Sequence, residues 1–236
     1  MSVTRSILEV SELYTKSLEE VLDIKLDRDS VKTRLVRSRL SKAAESVKQI
    51  SEGLTCERST FLSAQYLNDP DIRSAYLLYY TTTNFLKVIP PLRELERSDF
   101  FKREAISVLD LGSGSGAALW GLLSYLEEEH AAPITVSAIA ADVVSDNLKD
   151  IRRFYKSLAP KLTTVQSTLE TMRLDLATLD RKTFADKKFD LIVLMNTLNE
   201  LSVETEAKLF SLLPDILTEN GVVLLVEPAT RNESRR

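Results

Sequence analysis

The chain has 236 residues, 44% of them hydrophobic and 28% charged, with a net charge of −4. That length accommodates one large α/β domain or a domain with a substantial extension, and the acidic balance excludes a global electrostatic attraction to nucleic acid. Cys56 is the only cysteine, which excludes an intrachain disulfide and any zinc or iron–sulfur site built from cysteines.

In chain order, the first ninety-odd residues have the grammar of helices. Ile7, Val10, Leu13, Leu18, Val21 and Leu22 recur at steps of three and four, and so do Val36, Leu40, Ala43, Ala44, Val47 and Ile50. Asp29-Ser30 and Gly53 are the start and stop signals expected for the second helix. A third helix is expected from Asp69-Pro70-Asp71 through Tyr76, Tyr79 and Tyr80 toward Phe85, with Pro90-Pro91 ending it. Cys56 is expected to be a partly buried structural thiol. Glu9 and Glu12 argue against a transit peptide, and no apolar run is long enough for a signal peptide or a membrane span, so a cytoplasmic location is expected.

After Phe101 short apolar runs alternate with amphipathic ones. Strands are expected at 106–111, 134–140, 172–174 (weakly), 189–195 and 221–226, with helices at 117–129, 144–158 and 203–217. Such alternation predicts an α/β fold, a Rossmann-like parallel sheet with helices on both faces. The expected domains are an N-terminal helical segment, 1–98, and an α/β domain, 99–236.

Val108-Leu109-Asp110-Leu111-Gly112-Ser113-Gly114-Ser115-Gly116 lies between the first such strand and its helix. Glycines let the backbone turn tightly and admit a ligand where a Cβ would clash, and the helix start offers unpaired N–H groups. The spacing of Gly112, Gly114 and Gly116 also satisfies the dinucleotide pattern, so an NAD-dependent Rossmann enzyme stays open on the glycines alone. Asp110 bears on the choice. A carboxylate at the strand end would repel a pyrophosphate and suits the cationic methionine part of S-adenosylmethionine.

Asp142, at the end of the second strand, is expected to accept from ribose hydroxyls, although it lies 26 residues beyond Gly116 against the usual offset of about twenty. Asp175 or Asp180 could accept from an adenine amino group. Asn196 and Thr197, at the exit of the fourth strand, are expected to face the donor or the acceptor, whereas Asn199 and Glu200 are expected to cap the next helix. The cofactor-binding set is thus Asp110, Gly112, Ser113, Gly114, Gly116, Asp142, Asp175 and Asn196. No catalytic acid or base stands out, and methyl transfer needs little beyond alignment of donor and acceptor.

Leu109-Asp110-Leu111-Gly112-Ser113-Gly114-Ser115-Gly116-Ala117-Ala118-Leu119-Trp120, Leu198-Asn199-Glu200-Leu201 and Val226-Glu227-Pro228-Ala229-Thr230 together resemble the small-ribosomal-subunit methyltransferase-like family of bacteria and mitochondria, within the class I S-adenosylmethionine-dependent methyltransferases. Tyr66 to Tyr76 is similar to that family's helical lead-in. The resemblance implies S-adenosylmethionine as cofactor and small-subunit rRNA, or a ribosome-assembly intermediate, as partner. It leaves open a non-catalytic assembly factor that keeps the cofactor pocket. The family's cluster-binding cysteines have no counterpart here, so no metal ligand carries over.

Arg34, Arg37, Lys42 and Lys48 form a basic helix face that could meet phosphates, and Tyr76, Tyr79 and Tyr80 could stack bases or form core. His130 reads as an incidental loop residue. The resemblance implies the strand order 3-2-1-4-5 with later strands missing, as in a truncated form of a longer protein. Strand 221–226 then becomes an apolar edge, to be covered by the N-terminal helices or paired with another molecule, including a second copy in a homodimer.

Overall fold

Ala105–Leu111 forms β1, buried on both faces from Val108 onward, as suits a central parallel strand that is apolar but for Ser107 and Asp110. The computed structural model describes residues 9–27, 29–56, 69–130, 132–185 and 187–228. Ile7, Tyr66–Asn68 and Ala229–Thr230 of the sequence expectations lie outside them, as does the side chain of Cys56. The chain divides into two units, residues 1–86 and 87–236.

In the first unit, α1 (Glu12–Leu22) begins at Ser11, whose hydroxyl accepts from the Tyr14 N–H at 3.1 Å. It buries Tyr14, Leu18 and Val21, the i, i+4, i+7 stripe of an amphipathic helix. Its C-terminal carbonyls are capped from the next helix, because the Arg39 guanidinium donates to Leu22 O and Asp23 O at 2.8 and 2.6 Å.

That helix, α2 (Arg34–Cys56), corrects two expectations. It starts past Asp29-Ser30, which sit in a turn where the Asp27 carboxylate accepts from the N–H groups of Asp29 and Ser30. It also runs through Gly53 instead of stopping there. A mid-helix glycine costs only about 1 kcal/mol, less than the burial of Ile50 beside it returns.

Asp69 caps α3 (Pro70–Ala75), which passes through a π turn (Tyr76–Thr81) into α4 (Thr82–Arg97). Ile50, Ile72 and Ala75 form a small core, with Val47, Tyr76 and Tyr80 packed against it. Tyr76 and Tyr80 are half-buried against that core, stacked at 5.4 Å, while Tyr79 is 49% exposed.

Pro90-Pro91 does not end α4. The pair removes two backbone donors, but Phe85, Val88, Ile89 and Leu92 are all buried at the i, i+3, i+4, i+7 positions of one helical stripe. Burial of that stripe outweighs the missing bonds. No described helix is long and apolar enough to cross a membrane.

In the second unit β1, β2 (Ile134–Asp142), β3 (Val165–Arg173), β4 (Phe189–Met195) and β5 (Leu217–Val226) form, among the described residues, a wholly parallel sheet of order β3-β2-β1-β4-β5. This is the order expected for the first five strands of a class I methyltransferase sheet. The helices between the strands are α5 (Ala117–Glu128) and α6 (Ser145–Leu158), which meet through the Trp120–Phe154 stack, and α7 (Val203–Ile216); the right-handed crossover rule puts α7 on the face opposite the other two. Leu109, Leu111, Ile139, Ile192 and Leu194 pack with Leu209, Leu212, Leu213 and Ile216 of α7.

The strand expected at 172–174 is the end of a nine-residue strand, Val165–Arg173, in register with β2 throughout. Its start is pinned by Glu127, whose carboxylate accepts from the N–H groups of Thr163, Thr164 and Val165 and from both threonine hydroxyls. Desolvation pushes the Glu127 pKa up, but these bonds outweigh it and hold the pKa at about 2. His130 is not incidental: its side chain is 5% exposed, with Nδ1 3.0 Å from Glu96 Oε2. Among the described residues β5 pairs with β4 alone and β3 with β2 alone, so these two are the sheet's edges.

Candidate cofactor site

The sequence runs β1-β2-β3 outward in one direction and β1-β4-β5 in the other. The carboxyl ends of β1 and β4 therefore flank the switch point, where open α/β sheets bind ligands. The turn Gly112–Gly116 leaves β1 there. Its three glycines have φ of +67°, +53° and +81°, a region that side chains other than glycine's strain to enter.

Space distinguishes the three. A Cβ on Gly112 would lie 2.6 Å from the Thr197 side chain, and one on Gly116 would lie 2.7 Å from the Trp120 ring. A Cβ on Gly114 meets nothing within 4 Å. Gly112 and Gly116 thus make room for protein, while Gly114 borders open space. The turn is braced by Ser113 N–H donating to Ala141 O at 3.0 Å, by Gly116 N–H donating to Ser113 O at 2.8 Å and by Trp120 Nε1–H donating to Ser115 O at 2.8 Å.

Asp142 belongs to this brace. One carboxylate oxygen accepts from Gly114 N–H at 2.8 Å; the other accepts from Val144 N–H at 2.7 Å and from the Asn147 amide at 3.2 Å. The acid expected to meet a ribose already ties the glycine turn to the start of α6. Asn147 was not among the residues the sequence singled out, although its place one turn into a helix that follows a strand-end aspartate is a legible signal. Asp142→Ala is expected to lower stability by about 1–3 kcal/mol, since three donors lose their acceptor. Chemical denaturation measures this, and an unchanged midpoint would show that the turn holds without its brace.

Asp110 is the most unusual group in the site. It is 2% exposed, and its Oδ2 has no hydrogen-bond partner. Burial, with the Asp142 charge adding to it, pushes its pKa up to about 7. The Ser113 hydroxyl, buried nearby in sequence, also lacks a partner. A buried acceptor and a buried hydroxyl left unmatched, both within four residues of Gly114 in sequence, are what a polar ligand would satisfy.

At the other strand ends, Asp175 caps a short 3₁₀ turn (Leu176–Thr178) and accepts from Ala177 N–H at 2.9 Å. Asp180 likewise closes a local turn through Lys182 N–H and the Thr183 hydroxyl. Asn196 leaves β4 with φ of +55°, and its N–H donates to Val226 O at 2.8 Å. Asparagine tolerates this left-handed geometry better than most residues. Thr197 is buried against Gly112. Asn199 and Glu200 do not cap the next helix: they lie in a 3₁₀ turn (Leu198–Glu200), and Ser202 caps α7 by accepting from Thr205 N–H at 3.2 Å.

The fold and the site together define a doubly wound parallel sheet with a glycine turn and a buried acid at its switch point. Among solved structures, the chain is similar to Streptomyces venezuelae DesVI, at 18% identity over 69% of this chain and 58% of that one, with a TM-score of 0.44. It is similar to a SAM-dependent methyltransferase from Aquifex aeolicus, at 21% identity over 60% and 65% of the two chains, with a TM-score of 0.43. A third is SAM-bound CalS10, an amino pentose methyltransferase from Micromonospora echinaspora, at 18% identity over 61% and 52%, with a TM-score of 0.41. The chain spans between about half and two thirds of the length of these three structures. No family model and no curated protein matches it.

Proposed function

We propose that residues 87–236 bind S-adenosylmethionine at the Gly112–Gly116 turn and that the protein is a methyltransferase. The observation that carries this reading is the unmatched, fully buried Asp110 carboxyl beside a turn that is open at Gly114. An α-ammonium supplies the donors that Asp110 Oδ2 lacks and stabilises its ionised form. The Ser113 hydroxyl and the first-turn N–H groups of α5 suit the adjoining carboxylate.

Asp142 would face the ribose from the end of β2, and Asp175 and Asn196 lie at the ends of β3 and β4 where the adenine and the acceptor would approach. Bound there, the cofactor supplies an electrophilic methyl group, while the protein's part is to orient donor and acceptor and to exclude water. Asp110 opposes NAD, because it would place a carboxylate beside the pyrophosphate.

For the acceptor we favour small-subunit rRNA or a ribosome-assembly intermediate. That choice is supported by the sequence resemblance and by the exposed Arg34, Arg37 and Lys48 on α2. Calorimetric titration with S-adenosylmethionine, S-adenosylhomocysteine and NAD tests the cofactor. Either sulfur compound is expected to bind, and binding of NAD alone would end the reading. Titrating small-subunit RNA over a salt series tests the acceptor: binding that weakens steeply with salt is expected, and no binding at low salt would remove RNA.

A further inference from the structure

We propose that Glu227 is a positioning residue for the cofactor turn, acting from the end of β5 through Thr197. This rests on the cofactor site proposed above and adds to it a residue that acts through its contacts with the β4 exit loop.

The geometry is a short chain of contacts. Glu227 Oε1 accepts from two successive backbone groups of the β4 exit loop, Thr197 N–H at 2.8 Å and Leu198 N–H at 2.9 Å. Immediately before it, Val226 O accepts from Asn196 N–H at 2.8 Å. Three consecutive N–H groups of the loop, 196 to 198, are thereby held by two consecutive residues at the end of β5. A carboxylate taking two backbone donors forms charge-assisted bonds, stronger than a neutral acceptor would make. The left-handed Asn196 reverses the chain so that these donors converge.

The clamped residue is the one that meets the glycine turn. The Thr197 hydroxyl lies 3.2 Å from Leu111 O and 3.2 Å from Met195 O, joining the ends of β1 and β4. Its side chain occupies the space a Cβ on Gly112 would need, at 2.6 Å. Thr197 cannot move toward β1 without displacing Gly112, and Gly112 opens the turn on which Gly114 and Ser113 sit. The position of that turn is therefore set from β5, through one carboxylate and one threonine. Pro228 follows Glu227 and restricts its backbone to extended geometry, which keeps the carboxylate at the strand end.

The test compares Glu227→Ala, Glu227→Gln and Glu227→Asp in the full chain. Glu227→Gln keeps a carbonyl oxygen at the same reach, whereas Glu227→Asp withdraws it by one methylene. Affinity for S-adenosylhomocysteine is expected to fall by about tenfold or more in the Ala and Asp variants and to be restored to within about threefold in Gln. Amide hydrogen exchange without ligand is expected to rise both at 196–198 and at 112–116 in the Ala and Asp variants.

A faster loop 196–198 with an unchanged 112–116 would overturn the proposal, and so would wild-type affinity in Glu227→Ala. If Glu227→Ala fails to fold, Asp and Gln give the same comparison. If the wild-type chain binds neither sulfur compound, the cofactor reading falls, while the exchange experiment still decides whether Glu227 positions the turn.

Discussion

Replacing Asp110 with asparagine is expected to stabilise the empty protein and to remove most of its affinity for S-adenosylmethionine. The two effects have one cause. In the folded chain the Asp110 carboxyl is buried, its Oδ2 has no donor, and Asp142 adds a like charge. Its pKa is accordingly pushed up to about 7, whereas an unfolded aspartate titrates near about 4.

An acid whose folded pKa is raised favours the unfolded state once it must ionise. The cost is absent below pH ~4, grows through the window between ~4 and ~7, and is complete above it. The neutral asparagine carries no such cost, so its advantage is expected at pH 8, on the order of a few kcal/mol, and not at pH 4. Urea denaturation of both proteins across that range measures it. Parallel stability–pH curves would show that Asp110 is not the titrating group. For the ligand, loss of a charged acceptor costs about 1.5–3 kcal/mol, a roughly tenfold to hundredfold weakening by calorimetry.

Gly114→Val is expected to abolish cofactor binding while the α/β unit stays folded. The turn tolerates the substitution sterically, because nothing lies within 4 Å of the new Cβ. A β-branched residue at φ of +53° still carries strain of about 1–2 kcal/mol, which lowers the melting temperature by a few degrees. The larger effect is on the ligand, since the two added methyl groups fill the space on which Gly114 borders. Gly112→Ala is the contrasting variant: it collides with Thr197 at 2.6 Å and should lose more stability than Gly114→Val. Wild-type affinity in Gly114→Val would place the cofactor elsewhere.

Much of this arrangement was legible in the sequence because it is local. Asp110 and the three glycines lie within seven residues, and the switch from helical to strand periodicity after Phe101 placed them at a strand–helix junction. The parallel sheet followed from strand–helix alternation, and its order from the family resemblance. What was not legible depended on long-range packing. Of β3 only the end, 172–174, reads as strand, because Val165–Arg173 carries just Val165, Leu169 and Met172 as apolar residues among polar ones, which an edge strand tolerates. Pro90-Pro91 reads as a stop, and only the burial of Phe85, Val88, Ile89 and Leu92 carries the helix past it. The brace role of Asp142 and the contact of Glu227 with Thr197 join residues 28 and 30 positions apart, a relation no window of sequence contains.

Trp120 gives the molecule an optical property that follows from its packing. It is the sole tryptophan of the chain, completely buried, stacked on Phe154 at 4.8 Å, with its indole N–H on the carbonyl of Ser115. Its ring is also what a side chain on Gly116 would strike. The single strong fluorophore is thus bonded to the glycine turn itself, with no second indole to dilute its signal. Any ligand that shifts Gly112–Gly116 alters the field and the hydrogen bond felt by that ring. Emission wavelength and lifetime therefore report on the turn directly, in the unlabelled protein and on the timescale of mixing.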